Sequence, residues 1–238
     1  MSKSVYSIVL TDEVVEAVDR LAYQRGTSRS NMIDRILAES VSFMTPQQRM
    51  RQVFNEIEQM LTPTGNFQLL MQPSDSMMSL RSALRYKYNP TVRYSVEMVR
   101  AGEDQQIRLK VILRTQSRTL IEYMDRFFIL WNKLEKQAEE KRSKAEEKKP
   151  AHGGANEAKP ETDYGWKTET DAAKYYRVLH APSEDVSDEE FGERIAVYIR
   201  AVDEAMKTFF GEIEDPERAV EDVALHFAKY QQSIDYEL

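Results

Sequence analysis

Apolar and polar positions alternate along residues 3–10, with Tyr6, Ile8 and Leu10 on one side and Val5, Ser7 and Val9 on the other. This period of two predicts a strand. The period then changes. Thr11 offers a helix cap, Asp12 and Glu13 suit the positive end of a helix dipole, and Val14, Val18, Leu21 and Ala22 share one helical face. Gly26 is placed to end this helix. Ser28 is placed to cap a second helix with Ile33, Ile36, Leu37 and Val41 on its apolar face. One strand and two helices in about forty residues cannot enclose a core, and a lone strand leaves its hydrogen-bonding edge unpaired. Antiparallel pairing of this strand with that of a second copy removes both defects.

Downstream, a helix is predicted from Pro46 to about Leu61, with Val53, Phe54, Ile57, Met60 and Leu61 inward. The run Thr62, Pro63, Thr64, Gly65, Asn66 breaks it. A short helix is expected over residues 76–86. Two alternating runs follow, Val92/Tyr94/Val96/Met98 and Ile107/Leu109/Val111/Leu113, joined through Gly102, and they predict a hairpin. Its other side carries Arg93, Ser95, Glu97, Arg108, Lys110 and Arg114, so one face packs and the other meets water. A long helix starts near Arg118, with Leu120, Tyr123, Met124, Phe127, Phe128, Trp131 and Leu134 as its apolar stripe. Residues 141–168 read as a flexible charged linker. Beyond it the pattern is helical: Ser187 and Glu190 form a capping-box pattern ahead of Phe191, Ile195, Tyr198, Ile199 and Val202, and Asp215 with Pro216 opens a last helix.

The expected fold class is therefore α+β and helix-rich. The expected domains are a dimerising module over residues 1–44, an α+β middle domain over 45–140 with an antiparallel hairpin, the linker, and an acidic helical domain over 169–238; the resemblance described below adds DNA binding to the first. Charge sharpens this division. The 238-residue chain has formal net charge −7. Residues 1–44 carry 5 basic and 6 acidic side chains (net −1), residues 45–149 carry 19 and 13 (net +6), and residues 150–238 carry 9 and 21 (net −12). The acidity is confined to the last third, and sign asymmetry of this kind points to separate roles.

Lys3 to Leu10, the Leu10, Thr11, Asp12, Glu13 helix start and the Gly26, Thr27, Ser28, Arg29, Ser30 start of the second helix, taken in that order, resemble the ribbon-helix-helix DNA-binding superfamily of the Arc, MetJ and CopG type. The resemblance covers about a fifth of the chain. It implies a homodimer whose two-stranded ribbon enters the major groove of double-stranded DNA. By position it implies base contacts from Val5, Ser7 and Val9, with Lys3 at the edge of the ribbon. Backbone-phosphate contacts would come from Lys3 and from Ser28, Arg29 and Ser30 at the start of the second helix, where free N–H groups attract an anion. Members usually present longer polar or basic side chains on the ribbon. Here two valines reach only thymine methyl groups, so specificity is expected either to be modest or to lean on DNA shape. A regulator that represses transcription is the expected function. The alternatives are a DNA-organising accessory protein of the partition or relaxosome type, and an antitoxin-like regulator that binds a protein through its C-terminal region.

The basic middle segment supplies candidates for a second DNA contact in Arg93, Arg108, Lys110 and Arg114. A solvated sheet face is the plainer account of the same residues. A protein partner or a higher oligomer through residues 45–238 is also open. Other chemistry is weakly marked. His152, His180 and His226 are far apart, cysteine is absent, and Asp185, Asp188, Glu189 and Glu190 do not have the spacing of a calcium loop. There is no Gly-rich phosphate loop and no nucleophile elbow. No metal, cofactor or enzymatic activity is expected. The sequence has no long apolar run, and the N-terminal residues lack the pattern of a signal peptide. A cytoplasmic protein is expected.

Overall fold

The computed structural model describes residues 7–40, 46–71, 73–87, 89–101, 104–146, 165–169, 173–179 and 186–235. The chain divides into two compact units, Met1–Arg49 and Met50–Leu238.

The first unit holds α1 (Asp12–Gln24) and α2 (Arg29–Ser40). Thr11 precedes α1 in extended conformation, but its side chain makes no capping bond, so the predicted cap is corrected. Gly26 ends the turn as expected: at φ +60° it reverses the chain in the left-handed region, and Thr27 N–H reaches Ala22 O at 2.9 Å. Ser28 caps α2, its Oγ accepting from Asn31 N–H at 3.3 Å. Of the predicted α1 face only Val18 and Ala22 are buried. They pack with Met32, which was not expected, and with partly buried Ile33 and Ile36. Residues 7–11 form no strand, and residues 3–6, which carry the rest of the predicted strand, lie outside the described residues. A strand without a hydrogen-bonding partner has nothing to define it, and the partner expected here belongs to a second copy.

The second unit begins within α3 (Pro46–Leu61). A 3-10 turn, Thr62–Thr64, closes this helix, and Gly65 at φ +71° follows. Next come β1 (Phe67–Met71), β2 (Met77–Ala83), β3 (Thr91–Ala101) and β4 (Asp104–Leu113), then α4 (Arg118–Glu146), β5 (Lys167–Thr168), β6 (Lys174–Leu179), α5 (Asp188–Gly211) and α6 (Pro216–Asp235). The strands form one antiparallel sheet in the order β1-β2-β3-β4-β6-β5.

The predicted hairpin is β3 and β4, with Tyr94 opposite Val111 and Val96 opposite Leu109. The helix expected over residues 76–86 is instead β2. Met, Leu, Arg and Ala there favour a helix locally, but β2 lies between β1 and β3, and ladder bonds on both edges outweigh tenths of a kcal/mol of propensity per residue. The separation of residues 45–140 from 169–238 is also corrected. β6 pairs with β4 from Ile107 opposite Leu179 to Ile112 opposite Lys174, so the acidic C-terminal segment shares the sheet and core of the basic middle one. Part of the expected linker is ordered structure as well. α4 runs to Glu146, and Asn132 holds the chain where it re-enters the sheet, donating to Trp166 O at 2.9 Å and accepting from Trp166 N–H at 2.8 Å.

One face of the sheet packs on the helices. Phe67, Met78, Leu80, Tyr94, Val96, Leu109, Val111 and Tyr175 enter a single core with Phe54 and Ile57 of α3, Phe127 and Trp131 of α4, Ile199 and Met206 of α5, and Val223 and Phe227 of α6. Both late helices start on the predicted caps. Ser187 Oγ accepts from Glu190 N–H at 3.1 Å, and Asp215 Oδ1 accepts from Arg218 N–H at 3.2 Å. Glu190 completes no capping box, because its carboxylate binds Arg194 at 2.6 Å.

Two polar clusters bind helices to strands within this core. Asp203 of α5, 2% exposed, accepts from Tyr94 OH at 3.0 Å, Ser82 Oγ at 3.1 Å and Lys207 Nζ at 2.7 Å. In the other, Tyr198 donates to Glu135 Oε1 at 2.7 Å, while its hydroxyl receives Trp166 Nε1 at 2.9 Å and Arg177 Nη1 at 2.8 Å. Arg177 also pairs with Glu135. Burial is the main reason that the hydroxyls of Tyr94 and Tyr198 are held well above the ordinary phenol range.

Candidate nucleic-acid interface

Two surfaces carry the residues singled out from the sequence, one on each unit. On the first unit, Lys3 and Val5 lie outside the described residues. Ser7, Ile8, Val9 and Leu10 are all exposed, Val9 fully. At the start of α2 the N–H groups of the first turn have no acceptor within the helix, which is the general condition for holding an anion. Ser28 is taken up by its capping bond and Ser30 is exposed. Arg29 is engaged: its Nε and Nη2 reach the two oxygens of Asp19 at 2.6 and 2.5 Å. That bidentate hydrogen bonding holds the Asp19 carboxyl below its usual range. A phosphate at this helix start therefore meets a guanidinium already oriented from the side by α1, and must share it with a carboxylate.

The same unit shows a large amount of uncovered apolar side chain. Its core is Val18, Ala22 and Met32, whereas Ile8, Val9, Leu10, Val14, Leu21 and Leu37 are exposed by 38% or more. Val14, Leu21 and Leu37 were predicted to face inward. The periodicity located them correctly on apolar stripes, but too little chain is present in one copy to cover those stripes.

On the second unit, the face of the sheet turned away from the core is polar and basic. Across the strands, Gln68, Arg81, Arg93, Ile112 and Lys174 form one row; Ser79, Ser95, Lys110 and Tyr176 form the next; Glu97, Arg108 and Val178 the third. Arg93 lies over the second row. Its Nη2 donates to Ser79 Oγ at 3.0 Å and its Nε to Ser95 Oγ at 3.2 Å, and the two serines bond each other at 2.8 Å. This explains why both serines are buried on an otherwise solvated face. Arg81 binds Gln68 Oε1 at 2.7 Å. Arg114, just past β4, lines a groove of about 480 Å³ with Leu70, Arg81, Thr91 and Arg93.

Three of the four predicted secondary contacts, Arg93, Arg108 and Lys110, thus share this face, and Arg114 stands at its border. They are not equivalent. Lys110 is neutralised by Glu97 at 3.4 Å and Glu169 at 2.9 Å, and its bond to Glu169 raises its pKa. Arg108 lies 5.3 Å over the Tyr176 ring and has Nε buried without a partner. The pairing of Arg81 with Arg93, and the serines beneath, were not visible in the sequence. Reading residues 77–83 as a strand was the step that would have exposed them.

Among the described residues no group of three or more potential ligands is placed to hold a metal ion, and no helix is long and apolar enough to cross a membrane. Comparison with protein-family models, with curated proteins and with solved structures gave no significant match.

Proposed function

We propose that this chain is a homodimeric DNA-binding transcriptional regulator, a repressor, whose residues 1–44 act as a ribbon-helix-helix module. The observation that carries the reading is the apolar surface left on residues 7–40. Four buried residues, Val18, Ala22, Met32 and Ala38, are set against seven large exposed ones, Ile8, Val9, Leu10, Val14, Leu21, Tyr23 and Leu37. Covering a Val, Leu or Ile side chain is worth about 1.5–3 kcal/mol when burial is complete, so a second copy is the economical cover. The ordered sequence resemblance supplies the rest: paired N-terminal segments form the ribbon, Val5, Ser7 and Val9 face base edges, and the starts of both α2 helices flank the ribbon on backbone phosphates. The bidentate contact with Asp19 leaves the outer donors of the Arg29 guanidinium available to a phosphate, with which the carboxylate competes.

Sedimentation analysis and fluorescence-anisotropy titration against duplexes from the region upstream of the gene test this reading. A dimer with preference for one such duplex over random sequence is expected. A chain that stays monomeric at micromolar concentration, or binds every duplex equally, overturns the regulator. The basic sheet face favours a second reading, an accessory protein that organises DNA; higher-order arrays on long duplex would support it over a simple repressor. The antitoxin-like reading gains no support, since α5 and α6 are core helices and not a tail free to wrap a partner.

A further inference from the structure

The open face of the sheet combines like charges in a way that packing alone does not favour. Arg81 and Arg93 stand directly opposite each other on β2 and β3. Like charges in that relation destabilise a sheet. Neither is answered by a carboxylate among the described residues. Arg81 binds the Gln68 amide and Arg93 the Ser79 and Ser95 hydroxyls. Arg114 is exposed on the same groove. Among the described side chains, the carboxylates on this face, Glu97 and Glu169, both pair with Lys110 and so leave the arginines uncompensated. Neutral acceptors orient a guanidinium while preserving its charge, which is the arrangement that a bound anion requires.

We propose that Arg81, Arg93 and Arg114 form a second contact to the phosphate backbone of double-stranded DNA, with Arg108 extending it along the sheet. The inference rests on the DNA-binding reading above and gives the Met50–Leu238 unit a part in it. Three guanidinium groups around an open groove with a threonine hydroxyl and one leucine match successive phosphates of a polyanion. A second copy is disfavoured as the occupant, since it would bring two arginine clusters together. The contact is independent of sequence, because backbone contacts position a protein without reading bases.

The test measures duplex affinity against salt for the full chain and for Arg81→Gln/Arg93→Gln/Arg114→Gln. Each lost phosphate contact should reduce the slope of log affinity against log salt by about 0.9. A slope smaller by about 2 to 3, with weaker binding to all duplexes and unchanged sequence preference, is expected. Because Arg93 covers the buried serines, Arg81→Gln/Arg114→Gln is measured alongside; it should lose about 1 to 2 in slope with an unfolding midpoint that does not fall, since it relieves the like-charge opposition. If both variants keep the wild-type slope and affinity, the inference is overturned and the regulator stands; an acidic protein as the true occupant of the face gives this same result. Wild-type protein with no measurable duplex binding overturns both.

Discussion

Asp203→Ala is a direct probe of how α5 is held to the sheet. The carboxylate, 2% exposed, accepts bonds from Tyr94, Ser82 and Lys207. Truncation leaves the two hydroxyls without an acceptor, and both residues are exposed by 2% or less. Each unsatisfied buried group costs about 1–3 kcal/mol. Removing one partner of a buried ion pair costs about 3–5 kcal/mol when the remaining charge is sealed in. Lys207, however, is 17% exposed at its side chain and also lies 5.8 Å over the Phe67 ring, so its ammonium can turn to water and contributes less. The hydroxyls dominate, and a loss of about 3–4 kcal/mol is expected. That is a large part of the roughly 5–15 kcal/mol that holds a typical domain together. Urea unfolding followed by tryptophan fluorescence measures it, because both tryptophans, Trp131 and Trp166, are buried in this unit. Adding Tyr94→Phe and Ser82→Ala to Asp203→Ala should recover much of the loss, while adding Lys207→Met should recover little. A loss under 1 kcal/mol for Asp203→Ala, or recovery through Lys207→Met alone, refutes the reasoning.

Gly192→Ala places a Cβ 2.7 Å from Glu56 Cβ and 2.9 Å from Val53 O, where α5 crosses α3. The helix gains about 1 kcal/mol from alanine and loses about 1–3 from overpacking; a net loss of about 1 kcal/mol is expected in chemical denaturation, and a stabilised variant would contradict the close approach. Tyr198→Phe strips Trp166 Nε1 of its acceptor and Arg177 of one of its two, with an expected cost of about 1–3 kcal/mol in the same assay. Tyr94 and Tyr198 both have raised pKa values in the folded chain, chiefly through burial. In the unfolded chain they ionise near pH 10, so their contribution is complete below pH 10 and falls as pH rises beyond it, by about 1.4 kcal/mol per pH unit for each. Stability that stays flat from pH 9.5 to about 11.5 would show that these hydroxyls reach solvent. Asp19→Ala frees the Arg29 guanidinium and should strengthen duplex binding without changing sequence preference; weaker binding would assign the pair a positioning role that outweighs the lost negative charge.

The local pattern of the chain determined more of the elements than of their association. The β3–β4 hairpin, α3, α4 and the capped starts of α5 and α6 follow from period, caps and breakers, all of which act within a few residues. β2 escaped because its residues favour a helix and only ladders on two edges make it a strand. β6 escaped because its inward position 177 is arginine, which breaks the apolar alternation; Glu135 and Tyr198, far away in sequence, make that burial tolerable. The pairing of β4 with β6 then unites a basic segment and an acidic one that charge had set apart. The arginine surface has the same history. Composition marked the segment as basic, but the opposition of Arg81 and Arg93 exists only once β2 lies beside β3. The N-terminal unit shows the reverse case. Period and breakers located its two helices and their apolar stripes, and only the structure shows that Val14, Leu21 and Leu37 on those stripes stay exposed, because two short helices bury too little of each other.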